Sequence, residues 1–251
     1  IQPFSRAPQA RFNYKPGKFK ITAAAIIHGY NRTPGEYEAQ RNSGLPEIQM
    51  QIKYSGDKIF AGATAGYTVL KPRLQTSLGY KTTETVGSYS TQAFFKFISR
   101  PFTFKSQIVY GENLSSYTML GAYAVESGTR NMRDDYSYTN METVAGWIEI
   151  MSDFPQFNYG FFAGYTQNLG FAEKPESTSG EYEIIDGRAA DMASLLRISP
   201  RITYKSGSVV FGLEYMYNLA EYGEEFDDYY KSTETVSASH SRYLVSVTYA
   251  F

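Results

Sequence analysis

Eleven stretches of this chain read as strands, most alternating in polarity with a period of two, and the segments joining them come in two sizes that never trade places. The stretches are residues 9–15, 18–30, 47–54, 58–71, 89–99, 103–111, 140–152, 157–167, 191–205, 209–218 and 242–251, of which 58–71 is rich in Gly and Ala and ambiguous in face. Turns of two to four residues, such as Pro16-Gly17, Ser55-Gly56-Asp57 and Ser206-Gly207, follow every odd-numbered stretch but the last; loops of roughly 15 to 28 residues follow every even one. A strand turns successive side chains to opposite faces, so this alternation specifies a sheet with one apolar and one polar side. A soluble sandwich places turns about every 8–12 residues without such a beat. Short turns at one rim and long loops at the other are the pattern of an all-β transmembrane antiparallel outer-membrane barrel.

The last stretch is the clearest. Tyr243, Val245, Val247, Tyr249 and Phe251 form one face, and Arg242, Leu244, Ser246, Thr248 and Ala250 the other. Ending such a strand on Phe251 resembles the C-terminal signature of outer-membrane proteins, which their assembly machinery reads. Composition fits the same class. Mean hydropathy is −0.38 and no run nears the roughly 18 apolar residues of a membrane helix, yet a barrel needs only every second residue apolar. The 23 Tyr and 17 Phe suit two aromatic girdles. The absence of Cys excludes thiol catalysis and disulfides, and a net charge of −1 gives no footing for nucleic acid. The sequence opens at Ile1 with no signal peptide, which reads as a mature or an incomplete chain.

Three strings share the form Tyr-x-x-Asn-Leu: Tyr110 to Leu114, Tyr165 to Leu169 and Tyr215 to Leu219. Each is expected to close an upward strand, with Tyr in the outer girdle and Asn113, Asn168 and Asn218 at the pore mouth. Pro200 falls inside a strand that should be bonded on both sides, where it cannot donate, so a bulge or kink is expected there. Eleven strands is an odd count, whereas single-chain bacterial barrels have an even one. The expectation is one domain over residues 1–251 that lacks N-terminal strands.

Arg6, Pro8, Gln9, Arg11 and Tyr14, followed by a Gly and the Ala23–Ala25 run, resemble a segment of the DcaP-like porins of Bacteroidetes type. That resemblance covers residues 1–25. It implies a homotrimer with a barrel of about 16 strands, of which this chain would be the C-terminal portion, with the constriction loop upstream.

Parity places Arg11, Lys15, Lys20, Lys53, Lys96, Lys105, Arg197, Arg201, Lys205 and Arg242 on the lumen side, against Glu47, Glu149 and Glu214. The lysines beside turns can be merely solvated. Arg11, Arg197, Arg201 and Arg242 remain as a possible ladder lining an anion-favouring path, with Lys20, Lys96, Glu149 and Glu214 beside it. Trp147 also points to the lumen, as a contact for a sugar or aromatic solute or as packing against an inward loop. The acidic loop residues Asp134, Asp135, Glu221, Glu224, Glu225, Asp227 and Asp228 lack a fixed-spacing calcium motif and read as solvated surface. His28 and His240 suit a barrel enzyme, but Ser239 and Ser241 face away from His240 and no nucleophile or nucleotide motif is present. The expected function is a porin passing small hydrophilic, anionic solutes, without cofactor, seated among outer-membrane lipid and lipopolysaccharide. The alternative is a non-conducting barrel that binds partners through its loops.

Overall fold

The computed structural model describes residues 7–27 and 34–249. The features assigned to Arg6, His28, Ala250 and Phe251 lie outside them. In chain order the elements are β1 (Gln9–Tyr14), β2 (Phe19–Ile26), α1 (Pro34–Ser43), β3 (Glu47–Ser55), β4 (Ile59–Leu70), β5 (Val86–Ser99), β6 (Phe102–Glu112), α2 (Ser115–Thr118), β7 (Gly121–Val125), β8 (Tyr138–Ser152), β9 (Phe157–Phe171), β10 (Ser177–Thr178), β11 (Glu181–Tyr182), β12 (Ile184–Arg188), β13 (Met192–Ser206), β14 (Val209–Phe226) and β15 (Ser232–Tyr249).

One antiparallel sheet runs β1-β2-β3-β4-β5-β6-β8-β9-β13-β14-β15, and its eleven strands are the eleven stretches read as strands. Among the described residues β1 pairs with β2 alone and β15 with β14 alone. Directly opposed residues share a face, so register shows which side chains form each surface. The row Ile21, Ile52, Ala63, Ala93, Ile108, Gly146, Tyr165 and Leu196 crosses eight strands without a polar residue. Along this side the large apolar side chains stand in the open: Met50 is 59% exposed, Ile108 53% and Val245 73%. A contiguous apolar surface of this extent is unfavourable in water and favourable against hydrocarbon, where a hydrogen-bonded sheet also satisfies its own backbone.

The packed apolar interior lies elsewhere, at the end where the long connections meet. All five residues of β7 are buried. Ala122 and Ala124 join Leu120, Met141 and Phe171 in one cluster, while Tyr123, on the opposite side of the strand, joins Ala39, Leu70 and Val86 in another. Alternate side chains of one short strand therefore serve two cores. Gly121 begins it because a Cβ there would come within 2.6 Å of the Leu114 and Ser115 nitrogens.

Four expectations are corrected. The stretch 112–139 is not a bare loop; it carries α2 and β7, and β7 pairs with the first residues of β8 and with β12. Residues 219–239 are not a loop either, because β14 and β15 stay paired from Leu219↔Ser239 to Phe226↔Ser232, with the register shifting after Gly223. Beyond the bilayer both faces meet water, so the apolar period that marks a wall strand is lost although the pairing persists. Pro200 forms no bulge: β13 keeps one register with β14 on both sides of Ser199 and Pro200, and only the pairing at those two residues lapses. Finally, the Tyr-x-x-Asn-Leu strings do not close strands alike, since Asn168 and Asn218 fall inside β9 and β14 and only Asn113 follows a strand end.

The two faces predict opposite responses to charge. Leu213→Arg, on the exposed apolar side, should destabilise the folded protein by about 2–4 kcal/mol, read as urea unfolding in lipid vesicles. Thr203→Arg, one strand away on the other face, should cost little; equal losses would contradict the assignment of faces.

Candidate functional site

The polar face carries the charge. Register sets Lys20 opposite Lys53 and Lys96 opposite Lys105, although like charges directly opposed in a sheet repel. Lys105 Nζ lies 2.9 Å from Glu149 Oε2, and Arg201 Nη2 lies 2.6 Å from Glu149 Oε1, so two cations share one carboxylate. Glu214 stands opposite Arg201 in register but accepts the Ser199 hydroxyl hydrogen. Arg197 donates from Nε to Asn218 Oδ1 at 2.8 Å, and among the described residues no carboxylate lies within ion-pair distance of it. Arg11 stands on the edge strand β1, hydrogen-bonded to Gln9, and Arg242 on the edge strand β15, opposite Met216. The expected four-arginine ladder is thus not assembled: Arg197 and Arg201 share β13, and Arg201 is already paired.

The three asparagines form no ring. Asn113, with φ +46°, is buried and accepts the Ser115 hydroxyl hydrogen. Asn168 is also buried; it donates to the Ala190 carbonyl at 3.0 Å and accepts from Gly170 N at 2.9 Å. Asn218 serves Arg197. Asn168 organises local backbone, while Asn113 pairs with a neighbouring side chain.

The segment after β6 folds back over the polar face. Tyr117 of α2 reaches β3, three strands away, where its hydroxyl bonds the buried Glu47 carboxylate and accepts from Gln49 Nε2 at 3.0 Å. A cavity of about 660 Å³ lies beneath, walled by Gln107, Val109, Trp147, Phe162, Leu195 and Arg197 and covered by Tyr117 to Leu120 with Arg188 and Ala189. The Trp147 and Phe162 rings stack with centroids 5.9 Å apart and planes 29° apart. Both readings of Trp147 therefore meet: it lines a cavity, and an inward segment covers that cavity. An inward-folded segment is thus present in this chain. Its one mark in the sequence is the run of small and apolar residues Gly121-Ala-Tyr-Ala-Val125 inside a long polar connection.

The acidic outer residues are partly corrected as well. Asp134 and Asp135 are not free surface: Arg73 pairs with both, at 3.6 and 3.4 Å, and Arg130 pairs with Asp134, with Glu176 at 3.2 Å and with Glu183 at 2.5 Å. The two guanidiniums lie over the Tyr136 ring, 3.5 and 4.4 Å from its centroid. The Ser77 hydroxyl, and after it Arg130, hold the Asp134 carboxyl below the usual carboxylate range. Asp228 pairs with Lys174 at 2.8 Å. This network ties three long connections together above the sheet.

No protein-family model and no curated protein matches the chain. Solved structures do. The outer-membrane-expressed OmpT of Vibrio cholerae superposes with a TM-score of 0.51 at 10% identity, over 96% of this chain and 64% of that one. A porin refined at 1.8 Å resolution gives 0.50 at 11%, over 98% and 62%. The FrpB iron transporter from Neisseria meningitidis gives 0.56 at 10%, over 96% and 37%. The chain spans less than two thirds of the length of each. At such identities the likeness is one of fold, and the fold is that of the outer-membrane β-barrels.

The shared carboxylate can be tested directly. Glu149→Gln leaves Lys105 and Arg201 facing each other and should cost about 1–3 kcal/mol of unfolding free energy in urea. Adding Lys105→Met should recover part of that loss; a simple sum of the two single effects would show that the three groups do not act together.

Proposed function

We propose that the chain forms the wall of an outer-membrane porin through which small hydrophilic solutes diffuse in water, anions ahead of cations. The observation that carries this reading is the two-faced sheet, apolar and exposed on one side and basic on the other. Its location in the outer membrane is supported by the apolar band and by the barrels it superposes on. Anion preference is supported by the opposed lysine pairs and by Arg197, which no carboxylate neutralises among the described residues. Fixed cations on a low-dielectric wall raise the local concentration of anions and lower their barrier to entry. Arg suits the role, since its planar fork meets carboxylate or phosphate with two hydrogen bonds and stays charged. Arg11, Lys20, Lys96, Arg197, Arg201 and Arg242 would set the field, moderated by Glu149 and Glu214.

A DcaP-like homotrimer, set among lipid and lipopolysaccharide, is the finer form of the proposal and rests on the resemblance of residues 1–25. Passive transit needs no catalytic relay, and the reading assigns the chain no enzymatic activity and no cofactor. Single-channel recording of the natural protein in a planar bilayer under a salt gradient tests it. Stable conductance with a reversal potential on the anion side is expected. A reversal potential on the cation side would overturn the anion preference, and a silent bilayer would overturn diffusion itself.

A further inference from the structure

We infer that the cavity under the in-folded segment is a transit site for carboxylates with a flat apolar body, aromatic monocarboxylates above all. The inference rests on the reading of the polar face as a solute path and names what that path selects. Two guanidiniums line the cavity, Arg197 from β13 and Arg188 from the end of β12, and among the described residues neither has a carboxylate within ion-pair distance. A charged group kept without its counter-ion in a half-enclosed space is a ready partner for an anion from outside. The Trp147 and Phe162 rings, with centroids 5.9 Å apart and planes 29° apart, both line the cavity and supply aromatic surface against which a planar ring can pack. Val109 and Leu195 add apolar side chains to the wall, and the uncharged polar side chains around the cavity include Gln107, Tyr117, Thr118 and Thr166. A sugar acid would have to find partners for each of its hydroxyls among these few groups, whereas an aromatic ring asks for none. The cavity, about 660 Å³, lies within the usual range for organic ligands.

Trp147 is the one tryptophan of this sequence and reports on the site. The probe is 4-nitrobenzoate, titrated into the detergent-folded natural protein, with 4-nitrobenzyl alcohol as the uncharged quencher of the same shape. Saturable quenching by the acid is expected, with a dissociation constant on the order of 1 mM, weak enough for release. It should be about ten-fold weaker in Arg197→Gln. Arg188→Gln, in the cover rather than the wall, should weaken it similarly and gives a second reading where the wall variant does not fold. Benzoate should displace the probe at lower concentration than glucuronate or succinate. Equal quenching by the alcohol, indifference to both arginine changes, or stronger displacement by glucuronate or succinate would overturn the inference. Conductance without quenching would sink this site and leave the porin; quenching in a protein that never conducts would keep the site and sink the porin.

Discussion

Everything in this structure depends on the hydrogen-bonded antiparallel ladder with its side chains sorted by period two. In hydrocarbon an unpaired N–H or C=O costs several kcal/mol, so a spanning sheet must satisfy its backbone internally and can then present any side chains it needs to its two solvents. The register from β2 through β6 runs without a shift. A slip of one residue anywhere would carry Ile52 to the polar face and Lys53 to lipid, so the apolar pattern and the ladder enforce one another.

Because one face is given to lipid, the interior that a soluble protein would build between layers is absent from the wall and reappears above it. Leu120, Ala122, Ala124, Met141 and Phe171 form a small conventional core at the end of the long connections, and the Arg73–Tyr136–Arg130 stack with its four carboxylates binds the surrounding segments together. That cap fixes the position of the segment carrying α2. With Tyr117 anchored on Glu47 across the polar face, the segment narrows the space beside β6, β8, β9 and β13. The wall changes character beneath it: along one row the polar residues Thr22, Gln51, Thr64 and Gln92 give way to Val109, Ala145 and Leu195, with Thr166 the one hydroxyl among them.

Most of the wall was legible in the sequence because a wall strand faces two different solvents and so alternates; β4, rich in Gly and Ala, takes its face only from its register with β3 and β5. Ile48, Met50 and Ile52 against Gln49, Gln51 and Lys53 announce both the strand and its orientation. What lies outside the wall obeys no such rule. Glu221, Tyr222, Gly223 and Glu224 belong to a strand with water on both sides, and their polarity resembles a loop. Tyr123 and Ala124 sit in a strand buried on both sides, too short to show a period. Side-chain partnerships were less legible still. Parity put Arg197, Arg201 and Glu149 on one face, but the Glu149–Arg201 contact spans strands separated by 52 positions of sequence, and the pairing of Trp147 with Phe162 depends on register between β8 and β9. Arg188 was invisible as a site residue, because only the fold of β12 against β7 brings it over the cavity.

The central claim is that the sheet stands between lipid and water, and this sequence contains no cysteine to interfere with a direct test. Single cysteines placed at positions 210 to 215 of β14, spin-labelled in the folded protein in lipid vesicles, can be compared for collision with oxygen and with a water-soluble nickel chelate. Labels at Phe211, Leu213 and Tyr215 should favour oxygen and those at Val210, Gly212 and Glu214 the chelate, in strict alternation. A monotonic profile, or chelate access at all six positions, would contradict the account.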